Sequence, residues 1–343
     1  MFLDNRDSIH ALMVSVTESI KYELNIVVNS IANNNNFSDD YFTIIKNRNG
    51  NKNWLRPFLT AFFMSGENKD LSDMKNLLTA VELFNVSTYH SNLCFDNKIE
   101  DHLKNNHYIY SMLMYDVVYQ LVYQIDNKCI EPEKKDKIIH EFQKCNTLTY
   151  AGQYKDLNEL NIKNLEIFSN NKDFINAYRK RCLLISSSLP LCAKIGLITS
   201  NEQLNKVDSI VDAISSFGIL LQIVNDISDC IKMHRKKENL KRYSDFYNGK
   251  MTLPLYMFYK QHNIHSQEQI NHISKEELDI LFFHFFEDDM NTDYISEIMI
   301  TLWKECISRM HYSCYNLKEF FAYLYPFVFS SNLIPHKIKF YCK

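Results

Sequence analysis

The segment from Val207 to Ile231 limits the fold more than any other part of the chain. Ile210, Val211, Ile214, Leu220, Leu221, Ile223 and Val224 cover nearly every side of one helix. A helix that is apolar all round belongs at the centre of a bundle. Yet its end reads Gln222-Ile223-Val224-Asn225-Asp226-Ile227-Ser228-Asp229, and spacings of three and four bring the oxygens of Asn225, Asp226 and Asp229 to one face. Carboxylates buried that deeply are costly without a compensating charge. Mg²⁺ is the simplest partner, because it takes hard oxygen ligands and keeps waters for a phosphate. A salt-bridge set with Lys or Arg from neighbouring helices is the alternative.

Helices surround this one. Ile9, Met13, Val16, Ile20 and Leu24 mark an opening amphipathic helix, and Met74, Leu77, Leu78, Val81 and Phe84 a long buried one. Residues 107–125 form another, with Asp116 set among Met, Tyr and Val as a residue expected to be paired or functional. From Tyr178 to Leu197 a helix carries Ser186, Ser187 and Ser188 at its middle, poor helix formers that answer to the interior, and Pro190 is expected to kink or break it. Leu281 to Phe286 and the tail from Ala322 add aromatic helices that pack on the bundle. Six Gly and six Pro in 343 residues are too few for turn-rich β folds, and no glycine-rich nucleotide loop occurs. The chain reads as one all-α domain over residues 1–343.

A net charge of −3 offers nucleic acid no general attraction. Nine scattered cysteines without a CxxC pair point to a reducing cytoplasm. No signal peptide is apparent, and the clean apolar runs fall short of the roughly 20 residues a membrane span needs.

Further candidates lie elsewhere in the chain. Lys52 and Arg56 precede a helix opened by Pro57 and could meet a diphosphate. Asn92, Asp96 and Glu100 are spaced one helical turn apart, a ladder that could hold a metal. Gln153 and Asp156 share a face, and the basic run His234 to Arg242 could reach over a pocket mouth.

Read together, Gly50 to Pro57, Val81-Glu82-Leu83 with Asn92 to Asp96, Gly152 to Asp156, Leu221 to Asp229 and Asp245 to Pro254 resemble the trans-isoprenyl diphosphate synthase (polyprenyl synthetase) family in order and approximate spacing. The resemblance implies an all-α isoprenoid-synthase bundle around a deep central cavity, working as a homodimer. It also implies two Asp-rich motifs on facing helices that hold Mg²⁺ and ionise an allylic prenyl diphosphate, whose carbocation an acceptor then attacks. Asp226 and Asp229 match two acids of the second motif, with Asn225 in place of the first. Gln222 precedes them as in the family, Lys250 matches a lysine that touches diphosphate, and Asp245, Gln153 and Asp156 have counterparts. Lys241, Arg242 and Arg181 are possible assisting cations.

The first motif departs from the family. Asn92 and Leu93 stand where two acids belong, and Asp96 alone remains, unless Asp96, Asn97 and Glu100 rebuild the site one turn lower. Of the isopentenyl diphosphate contacts Arg56 survives; Asn53 stands for a lysine unless Lys52 substitutes, and Asn85 for a His or Gln. The family's Lys-Thr pair falls near Ser186 to Ser188, without its lysine. Each lost cationic contact costs about 1.5–3 kcal/mol, which makes isopentenyl diphosphate a doubtful acceptor. Three functions follow: a Mg²⁺-dependent prenyltransferase, a terpene synthase acting on one prenyl diphosphate, or a non-catalytic partner of a true synthase.

Overall fold

The computed structural model describes residues 6–35, 54–64, 71–168, 170–200, 204–230, 243–308 and 317–329. Among these it is helical, with one isolated antiparallel bridge between Asn161 and Lys250. The helices are α1 (Arg6–Asn35), α2 (Leu55–Met64), α3 (Leu71–Phe95), α4 (Asp101–Tyr123), α5 (Pro132–Asn158), α6 (Asn171–Ile185), α7 (Ser188–Thr199) and α8 (Leu204–Asp229). Then follow α9 (Ser244–Tyr247), α10 (Leu253–Gln261), α11 (Gln267–His272), α12 (Lys275–Glu287), α13 (Asp289–Ser308) and α14 (Leu317–Phe329).

Helix α8 is the axis of the bundle, as its all-round apolar sequence requires. It packs against α6, α7, α10, α13 and α14. Ile210, Ile214, Phe217, Leu220 and Ile223 are all buried, each contributing about 1.5–3 kcal/mol. By length and composition its Val207–Asp229 stretch could also cross a membrane. Here that apolar surface is packed into the core, with Asp226 and Asp229 buried at one end. Gly218 lets α8 approach the α6–α7 break, because a Cβ there would lie 2.7 Å from Ser186 Oγ.

That break falls where Pro190 and the three serines place it. α6 ends at Ile185, α7 starts at Ser188, and the two bend by 49°. Ser186, Ser187 and Ser188 are buried. Ser186 Oγ donates back to Cys182 O at 2.7 Å, and Ser188 Oγ accepts from Arg56 Nε at 2.9 Å. The serines therefore satisfy interior partners, a local use that offsets their poor helix propensity.

The apolar periodicity of α1 and α3 also holds, since Ile9, Val16, Ile20, Leu24, Leu77, Leu78 and Phe84 are buried. α14 docks through Phe320, whose ring lies 4.2 Å from that of Phe62 on α2. Asp116 departs from expectation. It lies on the exposed side of α4, whose buried stripe is Tyr110, Met114, Val118, Leu121 and Val122. The apolar residues around Asp116 in sequence therefore do not surround it in space, and it needs no partner.

Candidate active site

Five segments of the chain deliver charged side chains to one buried cluster at the end of α8. The first is the end of α3. It closes at Phe95 in a turn where Asn97 takes the left-handed conformation (φ 49°), while Asn97 N–H donates to Cys94 O at 3.2 Å and Lys98 N–H to Leu93 O at 3.0 Å. These two bonds satisfy carbonyls left open at a helix end. Asn248 Nδ2 donates to Asp96 O at 2.7 Å and ties this turn to the segment before α10.

This termination corrects the Asn92–Asp96–Glu100 ladder, because the helix stops before Glu100 is reached. Glu100 instead precedes α4, is exposed, and pairs with His102 at 3.3 Å. Asn92 is half-buried one turn before Asp96.

Gln153 and Asp156 do share the inner face of α5, and both are buried. Gln153 Nε2 donates to Asp96 Oδ1 at 2.9 Å. From α6 come Tyr178 and Arg181, also three apart and buried. Arg181 Nε donates to Asp156 Oδ1 at 2.8 Å, and its Nη1 to Asp226 Oδ2 at 3.0 Å. Tyr178 OH donates to the same oxygen of Asp226 at 2.6 Å, and Gln222 Nε2 to the other at 2.7 Å. A cation from this helix thus does reach the site. It comes from Arg181, one turn before the serines where the family's lysine was sought.

The last segment carries Asp245 and Lys250. Gly249 has φ 65° and its O accepts from Ile162 N at 2.7 Å, while Met251 N donates to Leu160 O at 2.8 Å. These bonds fix the Lys250 backbone beside Asn161 and aim its ammonium into the cluster. Lys250 Nζ lies 2.5 Å from Asp96, 2.7 Å from Asp156 and 3.4 Å from Asp245. Lys98 Nζ lies 3.1 Å from Asp96, 3.5 Å from Asp229 and 3.3 Å from Asp245. Among the described residues the cluster therefore holds five aspartates against three cations.

Burial opposes ionisation of Asp96 and Asp245, yet Lys250 and Lys98 outweigh it and hold both carboxyls below the ordinary carboxylate range. At Asp226 burial wins instead, and its carboxyl is pushed up despite Arg181 and Tyr178. Lys250 is disfavoured as a cation by burial, but Asp156, Asp245 and Asp96 more than compensate and raise its pKa.

The structure thus brings together Asp96, Gln153, Asp156, Gln222, Asp226, Asp229, Asp245 and Lys250. It does not gather Asn225, which is exposed, Glu100, or Arg56, which is half-buried against Ser188 on α7. Lys52, Lys241 and Arg242 lie outside the described residues. The compensation expected from Mg²⁺ comes in this arrangement from Lys98, Lys250 and Arg181. Sequence reasoning missed Lys98 and Tyr178. Tyr178 had a signal in its position one turn from Arg181, and Lys98 in standing two residues beyond the last acid of the first motif.

The sequence profile of the polyprenyl synthetase family matches residues 104–280. The chain belongs to the polyprenyl synthetase family. No curated protein matches the sequence. Solved structures similar to this chain include a putative geranylgeranyl pyrophosphate synthase from Corynebacterium glutamicum, 11% identical, TM-score 0.71, covering 99% of both chains. A polyprenyl synthetase from Streptomyces coelicolor A3(2) is 12% identical with a TM-score of 0.70, covering 93% of this chain and 99% of its own. A decaprenyl diphosphate synthase from Rhodobacter capsulatus is 14% identical with a TM-score of 0.67, covering 94% of this chain and 98% of its own. At these identities the likeness establishes the all-α isoprenoid-synthase fold.

Proposed function

We propose that this chain transfers a prenyl group in isoprenoid biosynthesis, using an allylic prenyl diphosphate anchored at the aspartate–cation cluster. One observation carries the reading: Asp96 and Asp229, from the two degenerate Asp-rich motifs, lie within reach of a single ammonium, 3.1 and 3.5 Å from Lys98 Nζ. The motifs face one another as a diphosphate site requires.

No three Asp, Glu, His or Cys side chains among the described residues are grouped to hold a metal. Asp226 is fully engaged by Tyr178, Arg181 and Gln222. Asp96 and Asp229 nevertheless converge on one cation position, so these two carboxylates would hold a single Mg²⁺, without Asn225, which is exposed. When bound, Mg²⁺ neutralises charge on the departing diphosphate. The chain's own residues do the rest. Lys250 and Arg181 supply fixed, buried positive charge to the cluster that would anchor the diphosphate, and Asp156 with Asp226 holds the Arg181 guanidinium in place. Preorganised charge of this kind stabilises the leaving group without rearrangement. The acceptor is a nucleophile other than isopentenyl diphosphate, or isopentenyl diphosphate itself held weakly. The homodimer implied by the family resemblance and the cytoplasmic location implied by the scattered cysteines belong to the same proposal.

A second reading, a non-catalytic partner of a true synthase, is favoured by the internal pairing of the cluster aspartates. Incubating the purified chain with Mg²⁺ and geranyl, farnesyl or geranylgeranyl diphosphate, with and without isopentenyl diphosphate, separates the two. Prenylated product supports transfer, a hydrocarbon or alcohol from one substrate would make it a terpene synthase, and no turnover of any substrate would favour the partner role.

A further inference from the structure

We propose that Lys98 is a tethered cation standing in the seat that Asp96 and Asp229 otherwise offer a divalent ion, so that the resting site excludes metal until this ammonium is displaced. Of the three cluster cations, only Lys98 touches acids of both facing motifs: Asp96 at the end of α3 and Asp229 at the end of α8. It also touches Asp245. Its backbone is fixed by the turn that ends α3, through the bond to Leu93 O and the left-handed Asn97. That turn is in turn held by Asn248. The ammonium is therefore delivered to this point by a built turn.

Its exposure differs from that of its neighbours. The Lys98 side chain is 12% exposed, whereas those of Lys250 and Arg181 are 3% exposed. Lys250 and Arg181 are enclosed among acids. Lys98 is the most solvent-exposed of the three. A lysine and a divalent ion compete for the same oxygens, and a positive charge left in place repels the incoming ion. The inference rests on the cluster being the diphosphate site only for its consequence on turnover, since metal occupancy is measurable without substrate.

The test is Mn²⁺ binding to the purified full chain, read from the loss of the free-ion electron paramagnetic resonance signal and repeated with Mg²⁺ as competitor. Lys98→Met is expected to bind one Mn²⁺ about tenfold or more tightly than wild type, because a like charge within a few ångströms has gone. Lys98→Gln should show the same gain, and Lys98→Arg, which keeps the charge, should bind as weakly as wild type. Adding Asp229→Asn to Lys98→Met should remove the gain. Circular dichroism confirms that each variant is folded. Mn²⁺ affinity in folded Lys98→Met and Lys98→Gln no higher than in wild type would overturn the proposal, as would Lys98→Arg binding as tightly as Lys98→Met. Metal binding as expected without product formation would uphold this inference while removing the prenyl-transfer reading.

Discussion

Replacing Arg181 with Met tests how the buried charges are held. Its guanidinium is 3% exposed and bridges Asp156 and Asp226, themselves 2% and 1% exposed, at 2.8 and 3.0 Å. Burial works against its charge, but the two aspartates more than restore it. Methionine fills similar volume without charge and leaves one Asp226 oxygen with Tyr178 alone, while Asp156 keeps only Lys250. Breaking a buried ion pair by removing one partner costs about 3–5 kcal/mol, whereas replacing an exposed partner costs about 0–1 kcal/mol. We expect Arg181→Met to lose about 3–5 kcal/mol in urea unfolding followed by tryptophan fluorescence and circular dichroism. Asp226→Asn should cost far less, because burial already disfavours the ionised form of that carboxyl. In the double variant most of the Arg181→Met loss attributable to Asp226 should disappear. A loss below about 1 kcal/mol for Arg181→Met, or a greater one for Asp226→Asn, would refute this account of the cluster.

Two further outcomes follow from the same geometry. Asp96 and Asp245 have folded pKa values below their unfolded ones, so their stabilisation is present above about pH 4 and is lost as pH falls further. Asp226 works in the opposite sense, its protonation at low pH relieving strain. The stability advantage of wild type over Asp245→Asn in urea melts should therefore shrink between about pH 5 and pH 3; an advantage that is constant or growing there contradicts the assignment. Gly218→Ala would place a Cβ 2.7 Å from Ser186 Oγ and should cost about 1–3 kcal/mol through overpacking. An unchanged unfolding midpoint would show that α8 does not approach the α6–α7 break so closely.

Much of the bundle was legible because its determinants are local or periodic. The 3.6-residue stripes of α1 and α3, and the all-round apolar α8, dictate which faces are buried whatever lies opposite. Pro190 and the serine triplet marked the α6–α7 break because a missing donor and poor propensity act within one turn. Asp116 departs from expectation because its apolar neighbours in sequence are not its neighbours in space: α4 leaves that side exposed. The Asn92–Glu100 ladder failed because the left-handed residue of the turn after α3 is Asn97 rather than a glycine, so no strong stop signal marks the helix end. In the candidate site, Asp226, Asp229, Lys250, Gln153 and Asp156 were legible from spacing and family resemblance together. Their compensation was not. Whether a buried carboxylate meets Mg²⁺, Arg181 or Lys98 depends on long-range pairings such as Lys98 with Asp229, which leave no local periodicity.

The central claim, that a prenyl diphosphate is anchored at this cluster, is tested most directly by calorimetric titration of a non-hydrolysable allylic thiodiphosphate with Mg²⁺ present. Saturable binding to the wild-type chain, lost in Lys250→Ala while that variant stays folded, is the predicted result. Failure of the wild-type chain to bind the analogue, or equal binding by Lys250→Ala, would contradict it.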